Sequence, residues 1–110
     1  MDINAFSPTG LTVSFTAATT APTSAQAVSS APTTRPARQY RVINTGAVTV
    51  LLGVGATDAA AKTAAASIGA GAVPILPGAV EVLGFPAGSF FSGVTSTSTS
   101  LVYVTPGEGI

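Results

Sequence analysis

A chain of 110 residues fits one domain. Its four basic and four acidic residues leave no net charge, and only 7% of residues are charged, against roughly 25% in an ordinary globular chain. His, Cys and Trp are absent, which removes disulfides, thiolate and imidazole metal sites, and the commonest general base.

The remaining chemistry is sparse. Lys62 is the one lysine, set in an Ala/Thr-rich segment. The carboxylates Asp2, Asp58, Glu81 and Glu108 are scattered, and no spacing pairs two of them. A Ser-Lys or carboxylate mechanism stays formally open, but the expectation is a non-enzyme with no cofactor and no metal. Arg35, Arg38 and Arg41 form one modest basic cluster, too small to neutralise several phosphates, so no nucleic-acid partner is expected. The cluster is either a solvated edge or part of a protein interface. Residues 1–4 lack the positive start and apolar core of a secretory leader. No apolar run approaches the ~20 residues that span a bilayer, so synthesis in the cytoplasm and no membrane contact are expected. A surface so poor in charge is weakly protected against association. Either partners cover much of it, or Ser and Thr supply the solubility.

In chain order, Phe6 is a candidate anchor for the first segment. Leu11, Val13 and Phe15 then alternate with Thr12, Ser14 and Thr16, a period of two that predicts a strand over 11–16 with one buried face. Residues 17–37 (AATTAPTSAQAVSSAPTTRPA) are Ala, Thr, Ser and Pro, with Pro22, Pro32 and Pro36 as breakers. Such a stretch buries too little to order itself alone. It is either a plain linker or an arm ordered on a neighbouring subunit.

Residues 38–55 (RQYRVINTGAVTVLLGVG) read as two strands folded back on one turn. Tyr40, Val42 and Ile43 suit a pleated surface, and Asn44, Thr45 and Gly46 offer a short hairpin loop. In residues 56–72, Asp58 is placed to cap a short helix at 59–66 that the alanines favour, but with no apolar stripe beyond Ala and Ile68 such a helix is marginal, and the expectation is a long surface loop with one helical turn. Short strands follow: 73–76, an edge strand because of Pro74; 80–85, after the Pro77-Gly78 turn; 90–95; and 101–104. Thr105, Pro106 and Gly107 close the last one. Turn signals every ten residues or so predict an all-β fold, a small antiparallel β-sandwich or jelly-roll-like barrel, with residues 1–37 as an extended Pro/Ala/Thr-rich N-terminal arm and 38–110 as the domain. Phe90 and Phe91 occupy opposite faces of one strand. One of them is an interface anchor, or the strand is buried on both sides. A domain of about 70 residues is marginal without a staple, and oligomerisation is the staple left. Exposed sheet edges and the strand at Leu11, Val13 and Phe15 are candidates to supply it.

The run YRVINTGAVTVLLGVG, the Ala/Thr-rich loop, ILPGAVEVLGFPAG and the terminal SLVYVTPGEGI resemble a group of small tailed-bacteriophage virion proteins, the head decoration, cement or head-fibre proteins. The resemblance covers residues 38–110, about two thirds of the chain. It implies a non-enzymatic structural protein at the capsid surface of the virion. Such a protein binds assembled major capsid protein, typically as a homotrimer, and reinforces the shell. The candidate interface residues on this reading are Phe6, Leu11, Val13, Phe15, Arg35, Arg38, Arg41, Phe90 and Phe91, and deletion of residues 1–37 is expected to abolish assembly or capsid binding while leaving a β-rich fold. The alternatives are a carbohydrate- or receptor-binding β-module of a phage fibre or tail, against which the lack of Trp counts, and a head-completion or tail component of the same fold.

Overall fold

The computed structural model describes residues 7–8, 10–26, 39–66 and 72–108. Among these run, in chain order, β1 (Ser7–Pro8), β2 (Val13–Ala17), β3 (Ala25–Gln26), β4 (Gln39–Asn44), β5 (Val50–Gly55), α1 (Asp58–Ala66), β6 (Val73–Ile75), β7 (Val80–Gly84), β8 (Phe90–Val94) and β9 (Ser100–Glu108). One sheet, here the front sheet, has the order β2–β9–β4–β7, with β1 continuing the β2 edge along β9. The back sheet has the order β3–β8–β5–β6. Leaving β1 aside, the chain pairs from its ends inward: β2 with β9, β3 with β8, β4 with β7, β5 with β6, all antiparallel. This ribbon is rolled so that β9 also meets β4 and β8 also meets β5. That wiring is a jelly roll, two Greek keys shared between two sheets. The all-β sandwich expected from the regular turn signals is the fold observed.

Alternation decides what fills the space between the sheets. Tyr40 and Val42 of β4, Val102 and Val104 of β9 and Phe15 and Ala17 of β2 point inward from the front sheet, and all are buried. Val50 and Leu52 of β5, Ile75 of β6 and Phe91 of β8 meet them from the back. Tyr40 and Phe91 pack edge to face at 4.9 Å, and Phe85 lies 5.9 Å from Phe91, within the range where aromatic pairs attract beyond their burial.

Four local expectations are corrected. Residues 38–55 are not a hairpin: β4 belongs to the front sheet and β5 to the back. The segment between them is a corner that crosses the sandwich, built on Asn44. The Asn44 amide donates to the carbonyls of Val48 and Ile75, both at 2.9 Å, and its carbonyl oxygen accepts from the Gly46 amide and the Ser100 hydroxyl. Gly46 serves close approach, because a Cβ there would overlap the Ser100 side chain. A buried Asn that satisfies a crossing backbone does here what a two-residue turn does in a hairpin.

Residues 58–66 form a helix of 9 residues rather than a single turn. Thr57, not Asp58, caps it, its hydroxyl accepting from the Ala60 amide at 3.1 Å. The helix is stable without large side chains because it lies directly on β5. A Cβ at Gly53 would come within 2.2 Å of the Ala65 nitrogen and 2.3 Å of the Ala61 carbonyl oxygen. Ala61 and Ala65 are fully buried there.

Residues 13–17 and 25–26, placed by the sequence in a separate arm, are strands of the sandwich itself. β2 pairs with β9 along its whole length, Phe15 and Ala17 are core residues, and β3 pairs with β8 in the back sheet. Between them Thr95 donates from its amide to the Ala18 carbonyl at 2.9 Å, carrying the chain from one sheet to the other. The parts of the expected arm at 1–6, 9 and 27–37 lie outside the described residues.

Finally, Thr105, Pro106 and Gly107 do not end β9, which continues to Glu108. Pro106 is tolerated because the neighbouring ladder is broken opposite it. β2 reaches Val104 through Val13, β1 resumes at Gly107 with Pro8, and the pairing shifts between them. A residue without an N–H costs least at such an interruption. Leu11 lies in the interruption and is 76% exposed, so it does not share the buried face of Val13 and Phe15.

Candidate docking face

The two outer faces of the sandwich differ. On the back sheet, α1 covers the strip made by Gly53 and Gly55, and Ser92 donates to the Pro22 carbonyl at 3.0 Å from the same side. The front sheet has no such cover among the described residues. Its outward positions follow from the register. Ser14, Tyr103, Ile43 and Val80 form one row across β2, β9, β4 and β7. Arg41 lies between Thr105 and Val82 in the next row, and Leu101 stands beside Thr16. Val80 is 56% exposed, Tyr103 38% and Leu101 36%, while Ile43, Val82 and Arg41 are half-buried. The solvent side of an antiparallel sheet is ordinarily polar. Here an apolar strip of Leu101, Tyr103, Ile43, Val80 and Val82 carries one positive charge, Arg41.

The rim of this face is tied down. Thr45 donates from its amide and hydroxyl to the Leu101 carbonyl, at 2.9 and 2.8 Å. Thr12 and Thr105 hydroxyls share a hydrogen bond of 2.8 Å. These bonds fasten the loop after β4 and the segment before β2 to β9 at the margins of the strip. Behind it the Tyr40 hydroxyl donates to the Pro86 carbonyl at 3.0 Å, and burial pushes that phenol above its ordinary pKa.

Of the residues singled out from the sequence, Arg41 alone falls on this face. Phe15 and Phe91 are core residues of this chain and are not presented to a partner. Val13 also faces inward, half-buried beside the core. Phe90 lies on the outer side of the back sheet, half-buried and opposite Gly55. Leu11 is exposed at the β1–β2 interruption. Phe6, Arg35 and Arg38 lie outside the described residues.

The residues that make the strip were legible in one place. The run Leu101, Val102, Tyr103, Val104 is apolar on both faces, which marks a strand buried on both sides. Val80 and Val82 do face one way, as their spacing predicts, but that way is outward.

Among the described residues there is no group of three or more His, Cys, Asp or Glu placed to hold a metal ion, and no helix is long and apolar enough to cross a membrane. Comparison with protein-family models, with curated protein sequences and with solved structures gives no match.

Proposed function

We propose that this protein is a structural subunit of a bacteriophage virion that decorates and stabilises the capsid, binding assembled major capsid protein as a homotrimer. The observation that carries the reading is the apolar strip of the front sheet, which no described residue covers, set beside a back sheet on which α1 is packed. A contiguous apolar strip on the outer side of a sheet supports a docking role. The partner proposed, assembled major capsid protein, is the one implied by the resemblance of residues 38–110 to decoration and cement proteins. The jelly roll is a fold used by viral capsid domains, an argument by analogy only, since folds host many functions. Each copy in an oligomer repeats the same contact, so modest affinity per face becomes strong retention on a shell.

The test is binding to phage heads assembled without this protein. Replacing Leu101 and Tyr103 together, Leu101→Glu with Tyr103→Glu, changes outward positions and leaves the core intact. Head binding measured by co-sedimentation is expected to fall at least about tenfold, with the unfolding midpoint little changed. Undiminished binding overturns the assignment of the face, and no binding by the unaltered protein overturns the decoration role. Light scattering across a dilution series reads the copy number, expected to be a multiple of three.

A further inference from the structure

Among the described residues the front sheet also has an open edge, at β7, and its backbone defines what fits there. Asn44 donates from its amide to the Ala79 carbonyl at 3.1 Å, and Thr45 from its amide to the Leu101 carbonyl at 2.9 Å. Antiparallel ladders alternate, so Asn44, Val42 and Tyr40 turn their backbone groups toward β7, and Ile43 and Arg41 turn theirs toward β9. On β7 the partners of Val42 and Tyr40 are Glu81 and Leu83. The N–H and C=O groups of Val80, Val82 and Gly84 therefore point away from the sheet, into the free edge.

The other edges are blunted, as isolated sandwiches require. β3 has 2 residues and β6 has 3, Pro74 among them. The β2 edge is turned into the back sheet where Thr95 takes the Ala18 carbonyl. β7 has 5 residues, no Pro, no Lys, and Val80 and Val82 on the apolar outer face.

We infer that β7 is a self-pairing edge: two copies of this chain join β7 to β7 antiparallel about a two-fold axis at Val82. This contact goes beyond the decoration reading and does not depend on it. The axis sets Val82 opposite its copy with both backbone groups exchanged, and Val80 opposite Gly84. A branched side chain thus faces a position that has none. Glu81 meets Leu83 directly, and the two Glu81 are only diagonal neighbours on that face, ~7–8 Å apart, close to the ~8 Å screening length of physiological salt. Arg41, one strand in, is separated from its copy by both β7 strands, roughly 14 Å at ~4.8 Å per strand, beyond the ~8 Å screening length of physiological salt. With equal numbers of basic and acidic residues, the chain as a whole does not repel a second copy. The product is one continuous eight-stranded front sheet whose apolar strips meet at the axis. In a homotrimer the same contact would join trimers in pairs.

Two variants test it. Val82→Pro removes an N–H that β4 does not use, so the fold tolerates it at an edge strand, but it blocks the pairing. Light scattering is expected to show the mass per particle halved, from two copies to one or from six to three. An unchanged mass overturns the inference, whether or not heads are bound. Should Val82→Pro not fold, Val82→Cys decides. The chain has no other cysteine, and opposed residues of an antiparallel pair lie ~5.5 Å apart at Cα, within disulfide reach. Mild oxidation is expected to give a covalent dimer at least about tenfold faster than for Thr23→Cys, an exposed control. Equal rates overturn the inference.

Discussion

Asn44 holds the corner where β4 leaves one sheet for the other, and its four side-chain contacts cannot be replaced by a single other residue. It is fully buried. Its two N–H bonds satisfy the carbonyls of Val48 and Ile75, which belong to the back half of the sandwich. Asn44→Ala strands these carbonyls, together with the Ser100 hydroxyl and the Gly46 amide. Each unsatisfied buried group costs about 1–3 kcal/mol, so a loss of at least about 2 kcal/mol is expected in denaturant unfolding. Asn44→Asp should cost more, since it turns an acceptor toward two carbonyls. A loss under about 0.5 kcal/mol would show that the corner is held by backbone pairing alone. The Asn-Thr-Gly signal was legible in the sequence as a change of direction. Whether the chain then paired with itself or crossed depended on Ile75 and Ser100, far away in sequence.

At the scale of the element, α1 shows how a helix with only alanines on its buried face is kept. Its propensity is high and its cap is good, but an isolated helix this short is marginal in water. The close approach to Gly53 and Gly55 supplies the contact area. Asp58 adds a tie to the chain ahead of β3: the Ser24 amide donates to its carboxylate at 2.7 Å, and the Ser24 hydroxyl to its backbone carbonyl at 3.2 Å. The Ser24 amide first, then the Ser24 hydroxyl, with Lys62 at 3.4 Å contributing less, hold the Asp58 carboxyl below its ordinary value of 3.8. A carboxyl with a depressed folded pKa contributes stability that is full above its unfolded pKa. That stability is lost as pH falls through the folded value. Stability should therefore drop as the pH is lowered below about 4, and Asp58→Asn should flatten this part of the profile. An identical acid limb in thermal unfolding of the variant would assign the acid sensitivity to other carboxylates.

For the molecule as a whole, the ribbon that pairs end with end makes the first segment indispensable. Deletion of residues 1–37, expected from the sequence alone to spare a β-rich fold, removes β1, β2 and β3 and the core residues Phe15 and Ala17. Loss of a buried Phe alone costs about 3–5 kcal/mol, against a typical total of 5–15 kcal/mol. The truncated chain is expected to show no cooperative thermal transition and no dispersed amide NMR spectrum. A cooperative transition would mean that residues 38–110 fold alone. The same topology limits what a deletion can say about capsid binding, so the outward substitutions at Leu101 and Tyr103 are the sharper probe.

Period-two alternation together with Pro and Gly punctuation determined the all-β class and most strand positions. These are local properties: which residues fit a pleat, which break it, which resist water. Tertiary structure alone decided which strands share a sheet, because pairing β2 with β9 or crossing at Asn44 depends on residues tens of positions apart. It also decided which apolar positions remain outside. Val80, Val82 and Tyr103 look like core residues in the sequence, since a strand's own pattern shows that two faces differ but not which of them another layer covers.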